Sequence, residues 1–249
     1  MGRVATVAAE PSALVGRRLD RMLDRLEPYR ESGRLLDVGC GRGTVALAAR
    51  AAGWDVYATE ISATCVAELR PLFGERLHEG PLLEVPFARA SFDVVLMIEV
   101  LEHLDDPAAY LAASRALLRP GGILLVTTPN FRGFSGRLRG PSWRVVADEH
   151  LTYFDEASLR RALRAAGFAR IRMSTGGLDV PRVVDWVRSL GAASRGGRKS
   201  GESTGAAVTP RESAPALADA VIEATNVILR TTHLGDGIRA LAERPRGTS

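Results

Sequence analysis

Three glycines in alternation, Gly39, Gly41 and Gly43, stand between the apolar run "RLLDV" and the alanine-rich run that starts at Val45. A strand that ends in such a bend can bring backbone close to a ligand, because no Cβ intervenes, and the next helix opens with unpaired amides. Ligands of the nucleotide kind suit that device. Glu60 ends a second apolar run, where an acidic side chain can accept from both ribose hydroxyls; the alternative is a solvated carboxylate at a helix start. Of the four histidines, His103 and His150 follow strand-like segments, and a ring that titrates near neutrality can take a proton there. His78 and His233 read as surface residues.

These side chains need a scaffold. Leu14, Val15, Leu19, Met22, Leu23 and Leu26 recur at helical spacing and predict an amphipathic helix ahead of the bend. Strand and helix patterns then alternate: strand 34–38, helix 45–52, strand 55–60, helix 62–73, a short strand near "RLHEG", strand 92–99, helix 106–118 and strand 122–129. A helix over 155–167, with Asp155 as N-cap, and a strand over 169–176 follow. Alternation of this length implies βαβ crossovers, so the expected class is α/β, a Rossmann-like, mostly parallel sheet with helices on both faces. The expected organisation is an N-terminal helical cap (1–30), a core (31–176), a helical lid insertion (177–232) with a flexible linker over about 192–214, and a final strand and tail (233–249).

The glycine frame separates two ligand classes. A dinucleotide site expects GxGxxG, and counting from Gly39 the third glycine is replaced by Thr44. Asp37 followed by GxGxG instead resembles motif I of the class I S-adenosylmethionine-dependent methyltransferases. "FDVVLMIEVLEHLDDP" is similar to the fourth-strand motif of the branch related to the ubiquinone-biosynthesis O-methyltransferases. "LLRPGGILLVTTPN" resembles that branch's entry to the fifth strand, and "EHLTYFDEASLRRALRAAGF" its following segment. The resemblance spans about residues 30–176 and implies a seven-stranded sheet with an antiparallel last strand, for which "GIRALAER" is the candidate.

The resemblance also implies a bound S-adenosylmethionine, leaving as S-adenosylhomocysteine. Its expected contacts are Asp37, Gly39, Cys40, Gly41 and Gly43 at the bend, then Glu60 and Ile61, the backbone at Leu82, and Glu99 with Val100 after the fourth strand. One position departs from the family. Where relatives carry an acid for the adenine amino group, this chain has Pro81, so Glu84 or backbone replaces that contact, or nothing does. His103 lies near the expected position of the methyl group and His150, preceded by Glu149, borders the expected acceptor pocket; His150, His103 and Glu149 are the candidate catalytic residues. His103 has a structural alternative, a bond to a loop carbonyl. Glu99 and Glu102 beside His103 could be read as metal ligands, but a magnesium site would want oxygen ligands from several strand ends, so no metal is expected.

Composition bounds the rest. The 249 residues carry a net charge of +4, and Lys199 is the sole lysine. The basic residues are scattered, without the aromatic interleaving of a nucleic-acid groove, so nucleic acid is not the expected partner. Two cysteines build no disulfide framework, which fits a reduced cytoplasm, and no run reaches the length of a membrane span. The first residues do not read as a signal peptide, and a soluble protein is expected. The expected activity is methyl transfer to an oxygen or nitrogen of a small-molecule acceptor, in secondary or cofactor metabolism, with a homodimer left open. The competing readings are a nicotinamide-dependent oxidoreductase, a non-catalytic binding protein on the same fold, and methylation of RNA or protein. Arg132, Arg137 and Arg139 in the glycine-rich loop are candidates for reading an acceptor carboxylate or phosphate, or are simply solvated.

Overall fold

A computed structural model describes residues 13–140, 143, 145, 146, 148–176 and 234–246. The expected lid insertion, its linker, the start of the N-terminal cap and His233 lie outside the described residues. Among the described residues seven strands form one sheet: β1 (Arg34–Val38), β2 (Asp55–Glu60), β3 (Leu77–Glu79), β4 (Phe92–Ile98), β5 (Leu118–Pro129), β6 (Ala169–Gly176) and β7 (Gly237–Glu243). Their order across the sheet is β3-β2-β1-β4-β5-β7-β6. β1 to β5 pair in parallel, while β7 enters between β5 and β6 antiparallel to both, as the motif resemblance implies.

Side-chain alternation sorts the core. In β4, Val95 and Met97 face one side while Val94 and Leu96 face the other, and in β5 Leu124 and Val126 oppose Ile123 and Leu125. Helices α1 (Ala13–Asp24), α2 (Thr44–Ala51) and α3 (Ala63–Phe73) cover the second face through Met22, Ala46, Ala49, Val66 and Leu69. Helices α4 (Pro107–Leu117) and α6 (Glu156–Ala165) cover the first through Leu111, Leu117, Leu159 and Leu163. The apolar runs that read as fully buried strands are buried because both faces are roofed.

The chain winds outward from β1 through β2 to β3 and then returns to place β4 on the other side of β1. The connections leaving β1 and β4 therefore diverge, and a crevice opens beyond their carboxyl ends. Three details differ from the sequence expectation. β5 begins at Leu118, because the segment through Gly121 and Gly122 still pairs, with a register shift between Phe92 and Val94 of β4. The glycine-rich loop contains a short helix, α5 (Phe134–Arg139). The fourth strand stops at Ile98 and not at Glu99, whose φ of 54 breaks the extended run before the 3-10 turn Leu101–His103. Among the described residues no helix is long and apolar enough to cross a membrane.

Candidate functional site

The glycine bend lies at the crevice. Gly39, Gly41 and Gly43 have φ of 64, 55 and 76, all in the left-handed region where glycine alone is unstrained. Space distinguishes them. A Cβ on Gly39 would stand 2.9 Å from Val100 Cγ2, and one on Gly43 2.8 Å from Leu69 Cδ2, whereas a Cβ on Gly41 would meet nothing within 4 Å. The outer glycines let the bend pack on protein; the middle one borders open space.

Glu60 fixes the bend from β2. Its Oε2 accepts from the Gly41 amide at 2.7 Å, and its Oε1 from the amides of Ile61 at 2.9 Å and Ser62 at 2.8 Å. Thr59, which the sequence reading did not single out, accepts from the Gly39 amide at its hydroxyl (3.3 Å) and from the Cys40 amide at its carbonyl (3.0 Å). Its only signal in the sequence is its place one residue before Glu60. Ile61 is 76% exposed, an apolar side chain held in water beside Glu60 and available to one face of a flat ring. Leu82 is buried in the turn Leu82–Glu84, so its side chain is core and only its backbone is left for a ligand; Glu84 is exposed. Burial pushes the Cys40 thiol up, which makes it unreactive at neutral pH.

Asp37 is buried at the end of β1, and its Oδ2 meets no partner. Desolvation, with the charge of Glu60 adding to it and the Ala46 amide opposing it, raises its carboxyl to about 7. The folded, cofactor-free chain keeps this proton between about pH 4 and 7, where the unfolded chain has lost it. Stability from this group is therefore present below about pH 4 and lost as pH rises through about 7. Urea unfolding should show Asp37→Asn gaining on the parent by up to about 4 kcal/mol at pH 8 and by almost nothing at pH 4. A pH-independent difference would count against the assignment.

Beyond β4 the turn carrying Glu99 and Val100 abuts the bend through the Val100–Gly39 approach. Glu99 is held at its positive φ by Thr127, whose hydroxyl donates to Glu99 Oε1 at 2.7 Å and accepts from the Glu99 amide at 3.2 Å. Strain of this kind collects where a side chain must be aimed. The next turn meets the loop before α6. His103 Nδ1 donates to the Glu149 carbonyl at 2.8 Å, His150 Nδ1 donates to the Val145 carbonyl at 2.7 Å, and the two rings stack edge to face with centroids 4.6 Å apart. Carbonyl oxygens only accept, so Nδ1 carries the proton in both neutral rings and Nε2 keeps a lone pair. Glu149 contributes through its carbonyl, while its side chain is exposed. Glu102 is 2% exposed, and burial raises its carboxyl to about 6.

The arginine loop is partly committed elsewhere. Arg132 pairs with Asp155 at 3.1 Å, and Arg137 donates to the Arg132 carbonyl at 2.8 Å. The side chain of Arg139 lies outside the described residues. Asp236 anchors the loop, accepting from the Ser135 amide at 2.8 Å and hydroxyl at 2.6 Å. No local pattern announces that contact, since its partners are 101 positions apart.

A family described as a methyltransferase domain matches residues 12–172, well over half of the chain. A probable S-adenosylmethionine-dependent methyltransferase of Mycolicibacterium smegmatis is 34% identical over 142 residues, which are 56% of this chain and 54% of that protein. A ubiquinone biosynthesis O-methyltransferase of Cereibacter sphaeroides is 35% identical over 137 residues, 50% of this chain and 53% of that one. The chain spans about half the length of the curated relatives it matches. Among solved structures, a SAM-dependent methyltransferase from Archaeoglobus fulgidus superposes with a TM-score of 0.61 at 15% identity, covering 92% of this chain and 93% of that one. The cyclase SpnF superposes with a TM-score of 0.58 at 22% identity, covering 97% and 84%. These two similarities show the fold alone.

Proposed function

Since this chain belongs to the methyltransferase-domain family of S-adenosylmethionine-dependent proteins, we propose that it methylates an oxygen or nitrogen of a small-molecule acceptor in secondary or cofactor metabolism. The observation that carries the reading is the pairing of an open cradle over Gly41 with two imidazole lone pairs beyond β4, joined through Val100. The residues fit the cofactor by two tests: Gly41 faces space that a Cβ would fill, and Asp37 has a buried oxygen with no partner. Asp37, the bend and Glu60 would hold the methionine and ribose ends, with Ile61 and the backbone at Leu82 along the adenine. When bound, the cofactor supplies an activated methyl group whose transfer leaves the bonding pair on sulfur and frees one proton from the acceptor.

The chain's own task is to hold the acceptor in line and to receive that proton. His150 and His103 suit the second part, because their Nδ1 bonds fix each ring and leave Nε2 basic. The exposed rings of Phe131 and Tyr153, centroids 5.2 Å apart, offer an apolar wall beside them. A relative named as a ubiquinone biosynthesis O-methyltransferase supports an oxygen acceptor. The free thiols Cys40 and Cys65 suit a reducing cytoplasm.

The test begins with binding. S-adenosylhomocysteine at a hundred times its Kd should stabilise the full chain by about 2.7 kcal/mol, a rise in Tm of roughly 5–10 °C, while NAD should give none. A shift with NAD alone would replace this reading by an oxidoreductase. Methyl-labelled S-adenosylmethionine incubated with small-molecule extracts should then label a product. His150→Gln should cut labelling at least tenfold with S-adenosylhomocysteine affinity unchanged. Binding without any labelled product would leave a binding protein on a methyltransferase fold.

A further inference from the structure

A cavity of about 220 Å3 lies at the amino end of β2, roughly 16 Å along the strand from Glu60 and the crevice. Register explains why it is there. β3 starts at Leu77, opposite Ala58, so Asp55, Val56 and Tyr57 have no strand beside them on that edge. The last turns of α2 and α3, with the turn leading into β3, enclose the gap that results. Trp54, Val56 and Phe73 are buried and make an apolar floor, while Arg50 and Arg76 stand exposed at the rim together with Asp55.

The rim carries more donors than the fold consumes. Arg50 Nη1 donates to the Leu72 carbonyl, and its guanidinium lies 5.7 Å from the Phe73 ring centroid, a place that suits a cation at a helix end. Its Nε and Nη2 meet no acceptor among the described residues. Arg76 Nε pairs with Asp55 Oδ1 at 2.9 Å, which leaves both of its Nη groups without one. The neighbouring carbonyls of Ala52 and Gly53 are taken by Arg30, so they do not answer these donors. The indole N–H of Trp54 is buried without an acceptor as well. Two guanidiniums against one carboxylate leave a single positive charge unbalanced above the apolar floor.

We propose that this cavity is a second ligand site, separate from the crevice, and that it takes a small aromatic carboxylate. The ring of such a ligand covers the floor at Trp54 and Phe73, where flat aromatic and guanidinium surfaces favour a flat partner. Its carboxylate meets the unclaimed edges of Arg50 and Arg76, because two oxygens match the planar fork of a guanidinium. One negative charge balances the surplus; a phosphate would bring a second that nothing in the lining answers. The volume is below the roughly 300 Å3 at which drug-sized pockets begin, which restricts the occupant to one or two rings. No residue of the glycine bend or of the histidine pair takes part, so the site does not depend on the methyl-transfer reading.

The experiment titrates the full chain, labelled with nitrogen-15, with sodium benzoate and follows the tryptophan indole signals in proton–nitrogen correlation spectra. The Trp54 signal is identified by its loss in Trp54→Phe. It should shift saturably with a Kd of a few millimolar or less, weakened at least about tenfold in Arg50→Gln. Benzyl alcohol, the same ring without the charge, should bind at least about tenfold more weakly than benzoate. Circular dichroism melts establish that the variant folds; where Arg50→Gln does not, Arg76→Gln takes its place. No shift of the Trp54 signal at about ten millimolar benzoate, or an unchanged Kd in the folded variant, overturns the site. A shift of Trp143, which packs on Gly136 in the loop beyond β5, without one of Trp54 would place benzoate in the acceptor pocket and overturn it too.

Discussion

Gly41→Ala is expected to keep the fold and lose the cofactor. The ideal Cβ meets no atom within 4 Å, so the fold bears only the cost of φ 55 for an alanine, about 1–2 kcal/mol. That drop in Tm is a few degrees for a chain of this size. The new methyl instead stands in the space where a bound nucleoside must approach the bend. The Kd for S-adenosylhomocysteine, read by calorimetry, should rise at least a hundredfold, or about 2.7 kcal/mol. Gly39→Ala behaves oppositely. Its Cβ would lie 2.9 Å from Val100 Cγ2, so melting temperature falls first and affinity follows the damaged turn. Unchanged affinity in Gly41→Ala would remove the cofactor from this crevice.

Whether a feature could be read from the sequence depended on whether its cause is local. The bend was legible because a positive φ at Gly39, Gly41 and Gly43 demands a residue type that the sequence displays. The strands β1, β2, β4 and β6 were legible because apolar runs of strand length lie between turn residues, and α6 because Asp155 and Ser158 form a capping box. The start of β5 was not, since Pro120 and two glycines read as a turn although Arg244 continues the pairing past them: the Gly121 amide donates to the Arg244 carbonyl at 2.9 Å. Helix α5 was hidden in the same way, because Gly136 lowers helical propensity and Gly133 at the N-cap offers no side-chain cap, while tertiary anchoring of Ser135 to Asp236 restores what they cost.

In the site the same division holds. His103 and His150 could each be picked out by type, yet nothing local says that their rings meet at 4.6 Å or that Glu102 is buried between turn and sheet. Glu149 shows the limit in the other direction. Its type and its place before His150 make it a candidate, yet the contact it makes with His103 is through its carbonyl, which every residue type carries. Pairing across 46 positions is set by how the loop before α6 crosses the carboxyl end of β4, which residue types do not encode.

Asp93→Ala should produce the largest loss of stability with no loss of cofactor affinity in the molecules that remain folded. Asp93 is fully buried at the amino end of β4, opposite the crevice. Its Oδ2 accepts from the amides of Glu31 at 2.9 Å, Ser32 at 2.8 Å and Gly33 at 2.6 Å, and its Oδ1 from Arg119 Nε at 2.6 Å. Arg119 in turn donates to the Tyr29 carbonyl at 2.7 Å, so one carboxylate ties the lead into β1 to both β4 and β5. Removing it leaves three amides and Arg119 Nε without their acceptor, while Arg119 keeps Glu31 at 2.6 Å and the Tyr29 carbonyl, a cost of about 3–5 kcal/mol by urea unfolding. Burial alone would raise this carboxyl, but the amides and Arg119 outweigh it and hold it below the usual carboxylate range. The unfolded chain therefore takes up its proton first on acidification. The stabilisation is present above about pH 4 and is lost as pH falls through the depressed value. The difference between parent and Asp93→Ala should stay constant from pH 5 to 8 and narrow below pH 4, and a deficit that instead grew in acid would refute the assignment. Asp37 has the reverse slope on the same sheet: one of its carboxylate oxygens is buried without a partner, whereas both oxygens of Asp93 are satisfied within the fold. The sign of the pH dependence thus separates a carboxylate that the fold leaves short of a partner from one that it ties in.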